Sequence, residues 1–246
     1  MSQPSPADFL VVAMARQIPN GATVATGLLS WLPMLAIAVA KATHAPELTY
    51  LNCSGAINPA RLGGQSLPPS STDVTLLKNN PYCLRLTDLW EFAARGRIDV
   101  MFFGFAQLDR NGNTNLSLLQ GSNGPSRKLP GVAGAYALRQ LVKNPVLFSA
   151  RHSPSSFVRR VDTVTTVAAS NPVLLVTELG VFRLLGGALH VVSLHPPGSI
   201  NEVKAKTGFP VRRPPRLRYT SQLSRRERLA LDKFDPRKIR DRHVNL

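Results

Sequence analysis

The sequence predicts an α/β fold built on an open, mostly parallel sheet flanked by helices. Three observations lead there. Short apolar or β-branched runs recur at strand length, several of them end in glycine or a small polar residue, and the segments that follow carry apolar residues at helical spacing. The length of 246 residues suits one large domain, and we read 1–246 as a single domain with a basic C-terminal segment at 211–246. Apolar residues make up 43% and charged residues 18% of the chain, a balance that excludes wholesale disorder.

Phe9, Leu10, Ala13 and Met14 place a first helix over Ala7 to Gln17, stopped by Pro19-Asn20-Gly21. Ala22 to Thr26 is a strand ended by Gly27, and Trp31 to Thr43 a second helix. Leu48 to Asn52 is the next strand, delivering Cys53-Ser54-Gly55 to its carboxyl end, where open α/β sheets bind ligands. Residues 58–81 are rich in Pro, Gly, Ser and Asn and form a long loop, a lid candidate. Thr87 is expected to cap a helix over Asp88 to Arg95, before the strand Ile98 to Phe103. In Gly104 to Asn115, Asn111-Gly112 marks a turn between two extended pieces. Leu129 to Ala135 leads into a helix over Tyr136 to Lys143. Pro145 to Phe148, Pro172 to Val176 and Gly187 to Leu194 are further strands. Ser199 caps a short helix, Asn201 to Lys206, with Glu202 completing a capping box. A basic helix covers Arg225 to Phe234, followed by a polar end, and no internal repeat occurs.

Lys and Arg total 30 against 14 Asp and Glu, a formal charge of +16, and Lys204 to Leu246 alone holds 14 basic and 4 acidic residues. Such a surplus attracts anions. The segment lacks interleaved aromatics and any recognition-helix pattern, so we expect a solvated or partner-facing surface, or help in holding a polyanionic cofactor, and no nucleic acid. The apolar run from Val24 to Ala42 is broken by Ser30 and Pro33 and falls short of the roughly 18 residues a membrane span needs, so we expect a buried helix, no membrane and no signal peptide. The two cysteines, Cys53 and Cys83, have neither zinc-site nor disulfide spacing, as expected in a reducing cytoplasm.

The glycine-bearing segments after strands are the main chemical signal, because glycine lets backbone amides approach and face an oxyanion. They match neither a dinucleotide fingerprint nor a P-loop. Cys53 reads either as a small buried side chain or as a nucleophile or substrate contact. Cys83 reads as structural. His195, ahead of Pro196-Pro197-Gly198, is a fixed turn residue or a general base, and Glu178 after Thr177 is an active carboxylate or a turn cap.

Taken together, Gly104 to Asn115, Leu129 to Ala135, Thr177 to Phe182, Leu194 to Ser199, Thr207-Gly208-Phe209, Phe234-Asp235-Pro236 and Arg240-Asp241 resemble the small, or β, subunit of the class I CoA-transferase family. The resemblance runs from about residue 8 to the end. It implies an acyl-CoA substrate, with coenzyme A as part of that substrate and no separate cofactor or metal. It also implies a homologous α subunit and an α2β2 heterotetramer. In the transferases a glutamate precedes a Ser-Gly or Asn-Gly pair and attacks the thioester; here Cys53 stands in that position. A thiolate would only exchange one thioester for another. Val24 to Pro46, Leu48 to Tyr50 and Cys53 itself resemble the branch of the family that decarboxylates 3-methylglutaconyl-CoA. By resemblance the oxyanion contacts fall on Ala133 and Gly134, with Cys53 the neutral wall of the pocket. Ser54, Gly55, Gly104 and Gln107 are the substrate-binding candidates. CoA transfer between carboxylic acids and acyl-CoA hydrolysis are the alternatives.

Overall fold

The computed structural model describes residues 3–80, 82–121, 124–169 and 172–245. Two compact units are distinguished: Met1–Phe102 with Leu141–Asn144 and Ser221–Leu246, and Phe103–Gln140 with Pro145–Thr220. The first begins with α1 (Pro6–Ala15), β1 (Thr23–Thr26), α2 (Trp31–Thr43), β2 (Thr49–Asn52), α3 (Leu86–Ala94) and β3 (Val100–Gly104). The second contains β4 (Gln107–Asp109), β5 (Thr114–Asn115), β6 (Leu118–Leu119), β7 (Arg127–Lys128), α4 (Ala135–Leu141), β8 (Asn144–Ser149), β9 (Phe157–Val158), β10 (Val173–Thr177), β11 (Gly180–Leu185), β12 (Ala188–Leu194), α5 (Ile200–Ala205) and β13 (Val211–Arg212). The chain then returns to the first unit with α6 (Arg225–Phe234) and α7 (Ile239–Asn245).

In the first unit β1 lies between β2 and β3, parallel to both, with Val24 in register with Tyr50 on one side and Val100 on the other. Parallel neighbours need a crossover, and α2 supplies it between β1 and β2. Ser5 and Asp8 form the reciprocal capping box that starts α1, with Pro6 at its first position. α1 is buried on nearly every face, as is α2 from Trp31 to Ala40. Helices apolar all round belong at the centre of a unit. Pro33 sits in the first turn of α2, where a missing N–H breaks no helical bond. Among the described residues no helix is long and apolar enough to cross a membrane.

Two local expectations are corrected in this unit. Thr87 lies inside the first turn of α3; the cap position is Arg85, whose N–H donates to the Asp88 carboxylate at 2.8 Å. The loop expected from 58 onward contains two short 3-10 turns, Ala60–Gly63 and Val74–Leu77, and buries Leu62, Leu67, Ser71 and Leu76. The Trp31 indole N–H donates to the Pro68 carbonyl at 2.8 Å, and the Leu67 N–H to the Phe234 carbonyl at 2.9 Å. Much of the loop is packed.

In the second unit β8 and β10 run parallel, β10, β11 and β12 form an antiparallel meander, and β13 adds parallel to β12. Four of these six strand pairings are parallel, in keeping with the predicted class. β11 was not read from the sequence. Thr177 pairs with Gly180, so Glu178 and Leu179 are the two-residue turn of a hairpin. The expected turn at Asn111-Gly112 is present between β4 and β5; Gly112 takes φ +81, and a Cβ there would lie 3.0 Å from the Ala168 Cβ. Ser199 caps α5 by accepting the Glu202 N–H at 3.1 Å, whereas the Glu202 carboxylate pairs with Lys206 at 2.8 Å, so the expected box is half made.

The C-terminal segment packs into the first unit. α6 lies against α2, and α7 against α1. Arg16 pairs with Glu227 at 2.8 Å. Arg240, with a side chain only 3% exposed, pairs with Asp8 and with Asp235 at 3.0 Å, while the Asp235 carboxylate also accepts the N–H groups of Ile239 and Arg240 at the start of α7. Removing one partner of a buried pair strands the other charge, which typically costs about 3–5 kcal/mol. Arg240→Leu should therefore lower unfolding stability by about 3 kcal/mol in urea titrations, and a loss under about 1 kcal/mol would mean that this anchor is dispensable.

Candidate active site

β2 ends at Asn52, and the chain reverses within four residues. The Gly55 N–H donates to the Asn52 carbonyl and the Asn52 N–H to the Ala56 carbonyl, each at 2.9 Å. Gly55 takes φ +107, and a Cβ on it would meet the Leu84 carbonyl oxygen at 2.9 Å, so the position requires glycine. The Ser54 hydroxyl donates to the Asn52 side-chain oxygen at 2.7 Å. Cys53 occupies the corner of this turn, half-buried, and burial pushes its thiol up to about 11, partly opposed by a backbone hydrogen bond. Near neutral pH it is a protonated thiol, which is unlike the lowered thiol of an activated nucleophile.

The remaining candidates lie in the second unit. Gly104 ends β3 with the Phe148 ring 3.4 Å from where a Cβ would stand. Gln107 is buried: its amide donates to Asp162 at 3.1 Å, and its oxygen accepts from Asn115 at 2.8 Å and from the Asp162 N–H at 3.0 Å. Its side chain thus joins β4, β5 and the segment before Thr166. Ala133 takes φ +44, a left-handed conformation that L residues adopt only at a cost, and it immediately precedes Gly134 and α4. Among the described residues, the fold takes no hydrogen bond from the N–H groups of Ala133 and Gly134. Together with the Val132 N–H, which is likewise untaken, these amides are left available as donors in the segment.

Arg139 fixes that segment, and nothing in the sequence distinguished it from a surface residue of a helix. It is 1% exposed and donates to the Thr166 hydroxyl at 2.7 Å and the Gly112 carbonyl at 2.8 Å. Burial lowers its guanidinium to about 10, with Asp109 opposing, so it stays charged at neutral pH. The Gly131 N–H also donates to the Leu116 carbonyl at 2.8 Å. The Ala133-Gly134 loop is thereby held against the β4–β5 hairpin.

A second buried group was also unread. His152 stacks on Phe157 with ring centroids 3.5 Å apart, and burial, then Lys206, lowers it to about 3. Its tautomer follows from its neighbours. The Thr207 hydroxyl donates to the Val203 carbonyl at 2.7 Å and so accepts from His152 Nε2 at 2.9 Å. The Thr177 hydroxyl accepts from the Leu179 N–H, leaving its proton for Nδ1 at 3.3 Å. The His152 backbone N–H donates to both Glu178 oxygens, at 2.8 and 2.9 Å. Burial raises the Glu178 carboxyl above its ordinary value, against that hydrogen bond. His195 is held by Thr220 at 2.8 Å and closes a turn in which its carbonyl accepts the Gly198 N–H at 2.8 Å. Cys83 is exposed opposite Ala56.

The chain is similar to several known proteins over nearly its whole length. One subunit of the 3-oxoadipate CoA-transferase of Pseudomonas knackmussii is 29% identical over 96% of this chain and 95% of that protein. The IpdB component of the cholesterol ring-cleaving hydrolase of Rhodococcus jostii is 26% identical over 98% and 96%. Among solved structures, the crystal structure of the decarboxylase AibA/AibB superimposes with a TM-score of 0.92 at 40% identity, covering 98% of this chain and 99% of that one. The Coenzyme A transferase pattern matches residues 9–206, and the chain belongs to that family.

Proposed function

We propose that this chain is the β subunit of a heteromeric acyl-CoA enzyme that decarboxylates a glutaconyl-CoA-type substrate, 3-methylglutaconyl-CoA to 3,3-dimethylacrylyl-CoA. The observation that carries the reading is Cys53: the family's attacking carboxylate is replaced by a thiol that burial keeps protonated. The 40% identity to a solved decarboxylase supports it. A homologous α subunit completes the working enzyme, as the two-component names of its relatives suggest, and the assembly is read as a cytoplasmic α2β2 heterotetramer.

The chemistry needs no covalent intermediate. The bond to the distal carboxylate breaks, CO2 leaves, and the electron pair spreads through the double bond to the thioester oxygen as a dienolate. A proton then adds at the carbon that lost CO2. Donation from the Ala133 and Gly134 amides is the role assigned to that loop, and one such donor is typically worth about 3 kcal/mol in the transition state. Ser54, Gly55, Gly104 and Gln107 are assigned to substrate binding by resemblance. CoA transfer is favoured by the name of the 29% identical relative and would require another carboxylate, of which Glu178 is the half-buried example in this chain. Acyl-CoA hydrolysis is favoured by the name of the Rhodococcus relative.

The α/β complex should release CO2 from 3-methylglutaconyl-CoA, and borohydride should trap no enzyme-CoA thioester. A trapped adduct, with CoA appearing on an added acid, would establish transfer instead. Cys53→Glu should lower kcat/KM for decarboxylation on the order of 1,000-fold, because two carboxylates about 4 Å apart repel by about 4 kcal/mol at an effective dielectric of about 20. An unchanged rate would remove the neutral-wall reading. Arg139→Met should lower kcat at least tenfold by releasing the Ala133-Gly134 loop, with KM moving less, as steady-state kinetics would report.

A further inference from the structure

Asn52 is fully buried, and all of its side-chain polar capacity is in use. Its Nδ2 donates to the Tyr50 hydroxyl at 2.8 Å and to the Ser71 carbonyl at 2.9 Å. Its Oδ1 accepts from the Ser54 N–H at 2.8 Å and the Ser54 hydroxyl at 2.7 Å. The orientation of the amide is settled by two of these partners, since a backbone N–H only donates and a carbonyl only accepts. Tyr50, receiving from Asn52, shares a hydroxyl–hydroxyl hydrogen bond with Thr26 at 2.8 Å. Ser71 in turn accepts the Ser30 N–H at 2.8 Å, at the start of α2.

One amide therefore ties three segments together: the turn holding Cys53, the end of β1, and the packed loop that carries Ser71. No other side chain meets these demands. Aspartate would set an oxygen against the Ser71 carbonyl, leucine would leave buried donors and acceptors unpaired, and glutamine is one methylene too long. Unpaired groups of this kind cost about 1–3 kcal/mol each, so the arrangement is specified rather than incidental.

We infer that Asn52 is a positioning residue, which sets the Cys53 turn and latches the loop around Ser71 to it. The inference rests on the reading of Cys53 as a wall of the substrate pocket. Without the amide, the turn loses the anchor of the Ser54 N–H, the loop loses its tie at Ser71, and Cys53 becomes open to water.

The test uses the intact α/β complex and reads Cys53 by the rate of iodoacetamide alkylation against pH, with peptides resolved by mass spectrometry and exposed Cys83 as the internal control. In the parent, Cys53 should react slowly at pH 7.5 and accelerate toward pH 11. In Asn52→Ala and the milder Asn52→Ser, the midpoint should fall by at least one pH unit and the rate at pH 7.5 should rise at least tenfold, with Cys83 unchanged. Protease cleavage between residues 58 and 80 should quicken in the same variants, whereas Tyr50→Phe should leave Cys53 within twofold of the parent. An unchanged Cys53 rate in either assembled variant overturns the inference. If neither variant assembles, hydrogen exchange in the parent decides, since a Ser54 amide exchanging as fast as an exposed loop amide overturns it and joint protection of Ser54 and Ser30 upholds it. Alkylation needs no substrate, so a parent complex that fails to decarboxylate sinks the functional reading separately.

Discussion

A strand that ends beneath the surface leaves the next few N–H and C=O groups without ladder partners, and each one kept dry and unpaired costs about 1–3 kcal/mol. In this chain side chains within a few residues meet that constraint. Asn52 takes the Ser54 N–H after β2. Asp109 takes the N–H groups of Asn111 and Asn113 after β4, at 2.9 and 3.1 Å. Asn115 takes those of Ser117 and Leu118, and Thr177 that of Leu179. The turns beyond the strands are therefore rigid before any ligand arrives, and the candidate residues at their corners inherit that rigidity. Gln107 and Arg139 extend the same principle from one turn to the next.

The same burial selects protonation states. Cys53 is held as a thiol, His152 as a neutral imidazole, and the Glu178 carboxyl is raised, each chiefly by loss of water. Charges that remain inside are paired or hydrogen-bonded, as Arg240 is with Asp8 and Asp235 and Arg139 with Thr166 and the Gly112 carbonyl. Much of the positive surplus stays at the surface, where Arg212, Arg213, Arg216 and Arg218 are all exposed. Composition could therefore describe the surface charge but not the few buried arginines that organise the interior.

Legibility in the sequence followed the range of the interactions involved. α1, α2, α6 and the strands β1, β2, β8 and β10 were readable because their periodicity and their stops are local. β11 was missed because nothing local marks Val181 to Leu185 as extended between Gly180 and the glycine pair at 186–187, and only pairing with β10 and β12 makes it a strand. Arg139 and His152 were missed for a related reason: an arginine on a short helix and a histidine in a Ser/Pro-rich stretch look exposed until Thr166 and Thr207, distant in sequence, are packed against them. The packing of the loop after 58 was hidden likewise, since its composition signals turns and says nothing of Trp31, Asn52 or Phe234 as partners. Unaided, Cys53 read either as a small buried residue or as a nucleophile or substrate contact at a strand end, and the glycine-bearing segments as backbone able to face an oxyanion; only resemblance gave Cys53 and the Ala133-Gly134 pair their particular roles.

The identity of the residue at the Cys53 corner bears directly on which reaction this turn can serve. A thiol with a pKa near 11 is ionised in only about one molecule in ten thousand at pH 7, so it neither attacks a thioester effectively nor repels an anionic substrate. A carboxylate at the same corner would be ionised and would do both. Decarboxylation requires the substrate's negative charge to sit comfortably at the distal carboxylate and then migrate toward the thioester oxygen; a fixed anion near the starting point raises the energy of binding, and a nucleophile diverts the thioester. A turn of unchanged backbone can thus serve group transfer or carbon dioxide loss according to whether its corner side chain carries a charge. Burial, enforced by the turn that Asn52 holds shut, is what keeps this one neutral.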